Sequence, residues 1–443
     1  MPLNTYHHSI RLNRDKCKGC TNCIKHCPTE AIRVREGKAQ IIDQRCIDCG
    51  ECLRICPYHA KEAHTTPMSR MDHYRYRIAL PAPSLYGQFK GITNAGWVLE
   101  GLLRMGFDDV YEVARGADII SDLVREHLRH ADKKPLISSA CPVIVRLIQV
   151  RFPDLIENLV PFVAPMEAAA MIARDQFCQK TGADPADVGV FFITPCAAKV
   201  TAIQNPVGTH KSAVSGAISI MDVYGFLAEE ADHTLPGRKL RIASGLGIGW
   251  ASSGGESAAI GGKRHLVVDG IQNVIEVLEE IDNDRFSDLA FLEGQACIGG
   301  CVGGPLTFAN AYIAKNRIRR LAESPDVAER APADPDILKK YPLALDQEIE
   351  YRGSVMRLDS DLGMAIQKME QMESILATLP GWDCGSCGSP SCKALAEDIV
   401  QGEAVEMDCI FRLRDRVKSL AKQMLVLADN IPMSSDKEKE NES

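Results

Sequence analysis

The tightest constraint in this sequence is a cysteine run that occurs twice. Cys17, Cys20, Cys23 and Cys27, closed by Pro28, read C-x2-C-x2-C-x3-C-P, and Cys46, Cys49, Cys52 and Cys56, closed by Pro57, repeat the pattern. Thiolates this close together let one tight loop wrap a cubane, while each proline ends its run and turns the chain. In this spacing the fourth cysteine of each run ligates the other cluster. One [4Fe-4S] cluster then takes Cys17, Cys20, Cys23 and Cys56, and the other takes Cys46, Cys49, Cys52 and Cys27. Zinc knuckles are the alternative, but they do not set four cysteines this closely, twice, each closed by proline.

There are 17 cysteines among 443 residues. The start, MPLNTYHHSIRLNRDK, has no apolar secretion core, so a reducing cytoplasm is expected, where cysteines serve metals more than disulfides. A net charge of −8 argues against nucleic-acid or anionic-membrane partners, and no apolar run reaches the length of a membrane span. With 45% hydrophobic and 25% charged residues, the composition excludes a membrane protein, a fibrous repeat and a disordered chain. At about 150 residues per domain, two to four domains are expected.

A third group lies near the C-terminus: Cys384, Cys387, Cys392 and Cys409, opening in GWDCGSCGSPSC. Its glycines and serines let backbone N–H groups approach cluster sulfurs, and a helix-forming stretch carries the chain to the fourth thiolate. The pattern resembles the small four-cysteine [4Fe-4S] domain of RnfB-type and corrinoid iron–sulfur proteins, with a structural zinc site as the alternative. Of the other five cysteines, Cys141, Cys196, Cys297 and Cys301 are spread over the middle of the chain, while Cys178 reads as a buried structural thiol.

The expected architecture is an α/β central domain flanked by an N-terminal bacterial ferredoxin-like α+β module and a small α-helical C-terminal iron–sulfur domain. Its boundaries are 1–64 for the ferredoxin-like module, 65–76 for a linker, 77–360 for the central domain, 361–430 for the C-terminal domain and 431–443 for a disordered tail. Ile32, Val34, Ile41 and Ile42 are the expected small core of the first module. RIALPAPS, DDVYEVA, KPLISSA, VGVFFITP, KLRIASG, HLVVDG and DLAFLEG read as strands and GWVLEGLLRMG as a helix, an alternation that argues largely parallel sheets. Cys141, Cys196 and Cys297 follow such strands directly, at the ends where open α/β sheets build their sites. Leu362, Ile366, Met369, Met372 and Leu376 mark one apolar helix face. Leu413, Val417, Leu420, Met424 and Leu427 suit a short coiled-coil seam, although packing back on the domain is the commoner outcome for two heptads.

The middle of the chain resembles the catalytic domain of [FeFe]-hydrogenases, and a ferredoxin module precedes it as in that family. The family's first motif, TSCCP, is here Ser138–Pro142; the second, PCxxK, is Pro195–Lys199; the third is Glu293 followed by Ala296–Gly304. The resemblance implies an H-cluster: a [4Fe-4S] cubane on Cys141, Cys196, Cys297 and Cys301, with Cys301 bridging to a diiron subsite that carries CO and cyanide. Lys199 matches the lysine that hydrogen-bonds a cyanide, an ordinary surface lysine being the alternative. Ala82, Pro83 and Ser84 match the loop against the cyanide side, with Ser84 as a donor. WASSGGESAAI, residues 250–260, resembles the glycine-rich segment that closes over the site; its glycines are spaced wrongly for a dinucleotide.

Three departures bear on function. Ala140 stands where efficient members carry a proton-relaying cysteine, Ala202 where a glutamate is expected, and Gln295 where a methionine precedes the third motif. Loss of a proton carrier costs roughly 10²–10⁴ in rate. Asp118, Asp122 and Glu126 are the acids considered for another route.

The resemblance therefore implies a protein that binds H2 at a diiron site and turns it over slowly. It is similar to the sensory subgroup, with H2 or redox state signalled to a partner through the C-terminal domain. The alternatives are a catalytic ferredoxin-linked hydrogenase with another proton route and a Narf-like, cubane-only electron-transfer protein. The implied partners are H2 and protons, ferredoxin or another redox protein, and a signalling protein, in an anaerobe's cytoplasm. Electrons are expected to run through the two N-terminal clusters to the central site, the C-terminal cluster being another exit.

Overall fold

The computed structural model describes residues 7–230, 240–324, 327, 335–353 and 357–429. The N-terminal module pairs β1 (Ile10–Leu12) antiparallel with β4 (Lys61–Ala63), and joins β2 (Ile32–Arg35) to β3 (Lys38–Ile41) as a hairpin. Its core is Ile10, Ile24, Ile32, Ala39 and Ala60, with Val34 and Ile41 packed alongside. Ile42 lies outside that core; its N–H is drawn to the Ala31 carbonyl at 2.7 Å.

The central domain holds two parallel sheets. One has the order β6 (Asp109–Val110), β5 (Tyr76–Pro81), β8 (Val188–Thr194), β9 (Gly216–Ser219). The other runs β10 (His265–Asp269), β11 (Phe291–Gln295), β7 (Leu136–Ile137). All seven residues of β8 are buried, as a strand covered by helices on both faces must be. The helix within GWVLEGLLRMG forms at Gly96–Arg104 and buries Val98, Leu99 and Leu102.

Two expectations need correction. The described part of KLRIASG, residues 240–245, forms no ladder strand: the N–H groups of Ile242 and Ala243 donate to the Glu112 carboxylate at 2.7 and 3.0 Å, and that of Ser244 to Asp118 at 3.0 Å. These carboxylates satisfy the backbone that a neighbouring strand would otherwise pair. The 65–76 stretch is also no loose tether. Met71 is buried, Thr66 exchanges hydrogen bonds with Ala217, and Tyr76 already belongs to β5.

In the C-terminal region only the second half of the Leu362–Thr378 helix packs, through Met372, Ile375 and Leu376. Leu362, Ile366 and Met369 are exposed. The Ile410–Asp429 helix does not fold back as two heptads usually do: it has no buried residue, and Met424 is 69% exposed. The expected tail at 431–443 lies outside the described residues. No described helix is long and apolar enough to cross a membrane.

Candidate active site

Three strand ends deliver the central cysteines. After β7 the chain reaches Cys141, which starts the Pro142–Arg151 helix; after β8 it reaches Cys196, which starts the Ala197–Gln204 helix; after β11 it turns through Cys297 and Cys301. Proline at the first helical turn needs no N–H partner, so the chain can swing from strand to helix at Cys141 with its thiol in the gap. The tight Cys297–Cys301 turn is possible because Gly300 has φ +94°; a methyl there would fall 2.5 Å from Gln295 Oε1.

The four thiols meet. Burial pushes Cys301 up to about 12 and Cys196 higher still, and each feels the charges of Cys141 and Cys297. Buried thiols that raise one another's pKa suit a cation that takes them all as thiolates. Arg54, from the ferredoxin-like module, donates through Nη2 to Cys297 Sγ at 3.3 Å. Lys199 is buried and donates to the Ala140 carbonyl at 3.1 Å, which excludes the surface-lysine alternative.

One cavity is lined by all four cysteines and by Ala82, Pro83, Ser84, Ala140 and Lys199. Ser84 is fully buried, and its hydroxyl has no partner among the described residues. An unanswered hydroxyl lining the same cavity as a buried ammonium fits an anionic group held next to the cysteines. The residues therefore fit a cubane on the thiolates, with room beside Ser84 and Lys199 for the diiron group and its ligands.

Ala140 also lines a second cavity. Ala140, Ala202, Ser139, Lys199 and Glu167 line it, so both positions that lack a proton carrier open onto the same space. Glu167 is occupied there, accepting from Ser212 Oγ at 2.6 Å and Ala213 N at 2.7 Å.

None of the three acids considered for another route lines either cavity. Asp118 is bound by Ser244, Asp122 by Arg125, and Glu126 by Arg129 and His130 at the surface. The acid that does line the first cavity is Glu256. Burial, and then the neighbouring Glu293 carboxyl, push Glu256 up to about 8. It meets Ser138 Oγ at 2.6 Å, while Glu293 accepts from Gly254 N and Ser257 N at 2.8 and 2.7 Å. Sequence reasoning passed over Glu256; the available signal was a lone acid inside WASSGGESAAI, a segment otherwise composed for burial.

The other groups also assemble. Cys23 feels Cys17, Cys20 and Cys56, whereas Cys49 feels Cys27, Cys46 and Cys52, the exchange of fourth cysteines that the spacing predicts. Cys49 packs in one core with Cys141 and Cys196, so the Cys46 group faces the central site. Cys387, Cys392 and Cys409 share the C-terminal core, and Cys387 feels Cys384. Cys178 stands apart, half-buried against the central core.

The family model for the iron-only hydrogenase large subunit, C-terminal domain, matches residues 75–262 and 254–305. The chain belongs to the iron-only hydrogenase large-subunit family. A 4Fe-4S dicluster domain model matches residues 9–57, and an Fe-S cluster model matches residues 379–411, which hold all four C-terminal cysteines. Iron hydrogenase 1 of Clostridium pasteurianum is 24% identical over 369 residues, 67% of this chain and 64% of that protein. The periplasmic [Fe] hydrogenase large subunit of Nitratidesulfovibrio vulgaris is 27% identical over 212 residues, 43% of this chain and 50% of its own length. The chain thus spans less than two thirds of either relative. Among solved structures, a variant of [FeFe]-hydrogenase HydA1 from Chlamydomonas reinhardtii aligns at 18% identity with a TM-score of 0.49, over 64% of this chain and 95% of that one. This iron-only hydrogenase relative is accordingly an iron–sulfur, 4Fe-4S, metal-binding protein of an oxidoreductase family.

Proposed function

We propose that this protein binds H2 at a diiron unit held through Cys301, turns it over slowly, and reports H2 or redox state to a cytoplasmic partner. The observation that carries the reading is the first cavity. Next to four converging thiols it keeps Ser84 and Lys199, the donors a cyanide-bearing group would use, while alanine stands at position 140 on the same wall. A cubane alone has no use for that unpartnered hydroxyl, which weighs against the cubane-only alternative. When bound, the diiron group supplies the metal at which H2 is taken up or released.

The chain's own residues do the rest. Lys199 offers an ammonium to an anionic ligand, Ser84 offers a hydroxyl, and the apolar side chains around them exclude water. Ala140 cannot hold a proton. At neutral pH Glu256 does, because its carboxyl titrates at about 8. It lines the cavity and can pass that proton toward it. This acid also favours a second reading, a catalytic hydrogenase whose proton route runs through Glu256.

In the sensory reading, the output is on another protein, and the exposed apolar positions of the Ile410–Asp429 helix are where such a partner would be read. The test is infrared spectroscopy on protein matured anaerobically with the diiron assembly machinery. CO and cyanide bands are expected, with turnover then separating sensor from catalyst. Their absence at full iron loading would reduce the protein to an electron-transfer role.

A further inference from the structure

Sequence reasoning treats the C-terminal four-cysteine domain as a separate exit from the central site. Its cysteine loop rests instead on the ferredoxin-like module. Arg33 grips Asp398 through Nε, at 2.9 Å to one carboxylate oxygen and 2.7 Å to the other. Arg35 Nη2 reaches the same carboxylate at 2.6 Å, and Arg45 Nη1 reaches Glu397 at 3.1 Å. Arg33, Arg45 and Asp398 are all buried. A tether between two domains does not need desolvated charge, which is costly unless every partner is in register. Such pairs serve to define one arrangement and reject others.

The arrangement they define is specific. Val34 N donates to the Gly388 carbonyl at 2.7 Å, and Arg35 Nη1 donates to the Cys387 carbonyl at 3.2 Å. Gly388 has φ +84°, and a methyl on it would fall 1.9 Å from the Val34 carbonyl, so only glycine permits this approach. Val34 also lines the small cavity ringed by Cys17, Cys20, Cys23 and Cys56. One strand's thickness therefore separates the Cys387 loop from the Cys17 group's cavity.

We infer that the arginine–carboxylate clasp is a positioning device: it sets the C-terminal cluster site directly beside the Cys17 group, as its redox neighbour. The cysteine groups then stand in series, with the C-terminal domain at the outer end, the Cys17 group next, the Cys46 group inside it and the central site last. Loaded with [4Fe-4S] clusters, these cysteine groups would pass one electron at a time between the central site and a one-electron acceptor protein at the outer end, each cluster gaining and then losing that electron. No bond is made or broken along it. The inference rests on reading the cysteine groups as [4Fe-4S] sites, and not on the diiron proposal.

The test uses the full chain reconstituted with iron and sulfide and reduced with dithionite, without the diiron group or H2. Electron paramagnetic resonance of the wild type should show the C-terminal signal broadened by magnetic interaction with a neighbour. The Glu397→Gln, Asp398→Asn double variant should keep its iron and lose that broadening. An unchanged spectrum at full iron would overturn the inference. If the double variant sheds C-terminal iron, Cys384→Ala decides the matter. Emptying that site must slow the spin relaxation of the Cys17 group, and unchanged relaxation overturns the neighbour assignment. Iron content below that of the assembled groups would instead indict the cluster reading, and absent CO and cyanide bands only the diiron one.

Discussion

The central site and the outermost thiols, Cys17, Cys20 and Cys384, use the same ligand in different settings, whereas burial pushes up Cys23, Cys27, Cys387 and the Cys46 group much as it does the centre. At the centre, burial and mutual repulsion push Cys196, Cys297 and Cys301 up. At the rim, Cys20 and Cys384 are exposed. Burial alone would raise Cys17, yet the Ala39 and Gly19 N–H groups hold it below its usual value, and the Ser386 N–H does the same for Cys384. At Cys17 and Cys384 the setting is therefore built locally, by loops that supply N–H donors to sulfur. The central site is built by three strand ends that bring thiols into a dry cavity. A dry site strengthens every charge in it, which suits proton and H2 chemistry; an open rim suits exchange of electrons with another protein.

That contrast can be broken most forcefully at Ala140. Restoring a thiol with Ala140→Cys should raise H2 turnover of the matured protein by about 10²–10⁴-fold, the usual worth of a positioned proton carrier. An unchanged rate, with CO and cyanide bands intact, would mean that proton delivery does not limit this site.

Next in size is Glu256→Gln, which keeps the Ser138 hydrogen bond but cannot release a proton. Turnover should fall about 10²-fold with the infrared bands unmoved. The wild type should also lose H2 evolution as pH rises through about 8, where Glu256 gives up its proton, and the variant should lack that inflection. Stability carries the same sign. Because the folded-state value lies above the unfolded one, the protonated acid favours the fold at low pH, and this contribution is lost as pH rises through about 8. Melting temperatures of the cluster-free chain at pH 6 and 9 should therefore converge in Glu256→Gln.

The smallest effect is expected where rim and centre touch. Arg54→Gln withdraws a cation from Cys297 Sγ, so the central cubane should become harder to reduce while iron content is unchanged. A redox titration that finds the same potential would show that this bridge is only structural.

Much of this was legible in advance because local spacing carries it. The spacing of the doubled run already implies the exchanged grouping in which its thiols are found, and the strands around Ile78, Val190 and Leu292 begin as short apolar runs. The proton carrier at the cavity was not legible. Asp118 sits on a helix whose Val113 and Ala117 do face the cavity, yet its carboxylate is turned to Ser244. Glu256 gives no periodic signal, since it sits in the short Gly255–Ile260 helix, entered through a left-handed Gly254, and packs near Glu293 of β11.

By itself the sequence determined which thiols fall into groups spaced for a cluster, because the separations within a run are two or three residues that the covalent chain enforces. It also determined the parallel α/β frame, because burial on both faces leaves its mark on every residue of a strand. Only the tertiary structure decided that Ala140 and Ala202 share one cavity, that Glu256 rather than Asp118 faces the other, and that Asp398 closes on Arg33 from 365 residues away. Contacts of that separation are selected by packing and by the cost of burying charge, and neither is written in the spacing of residues along the chain.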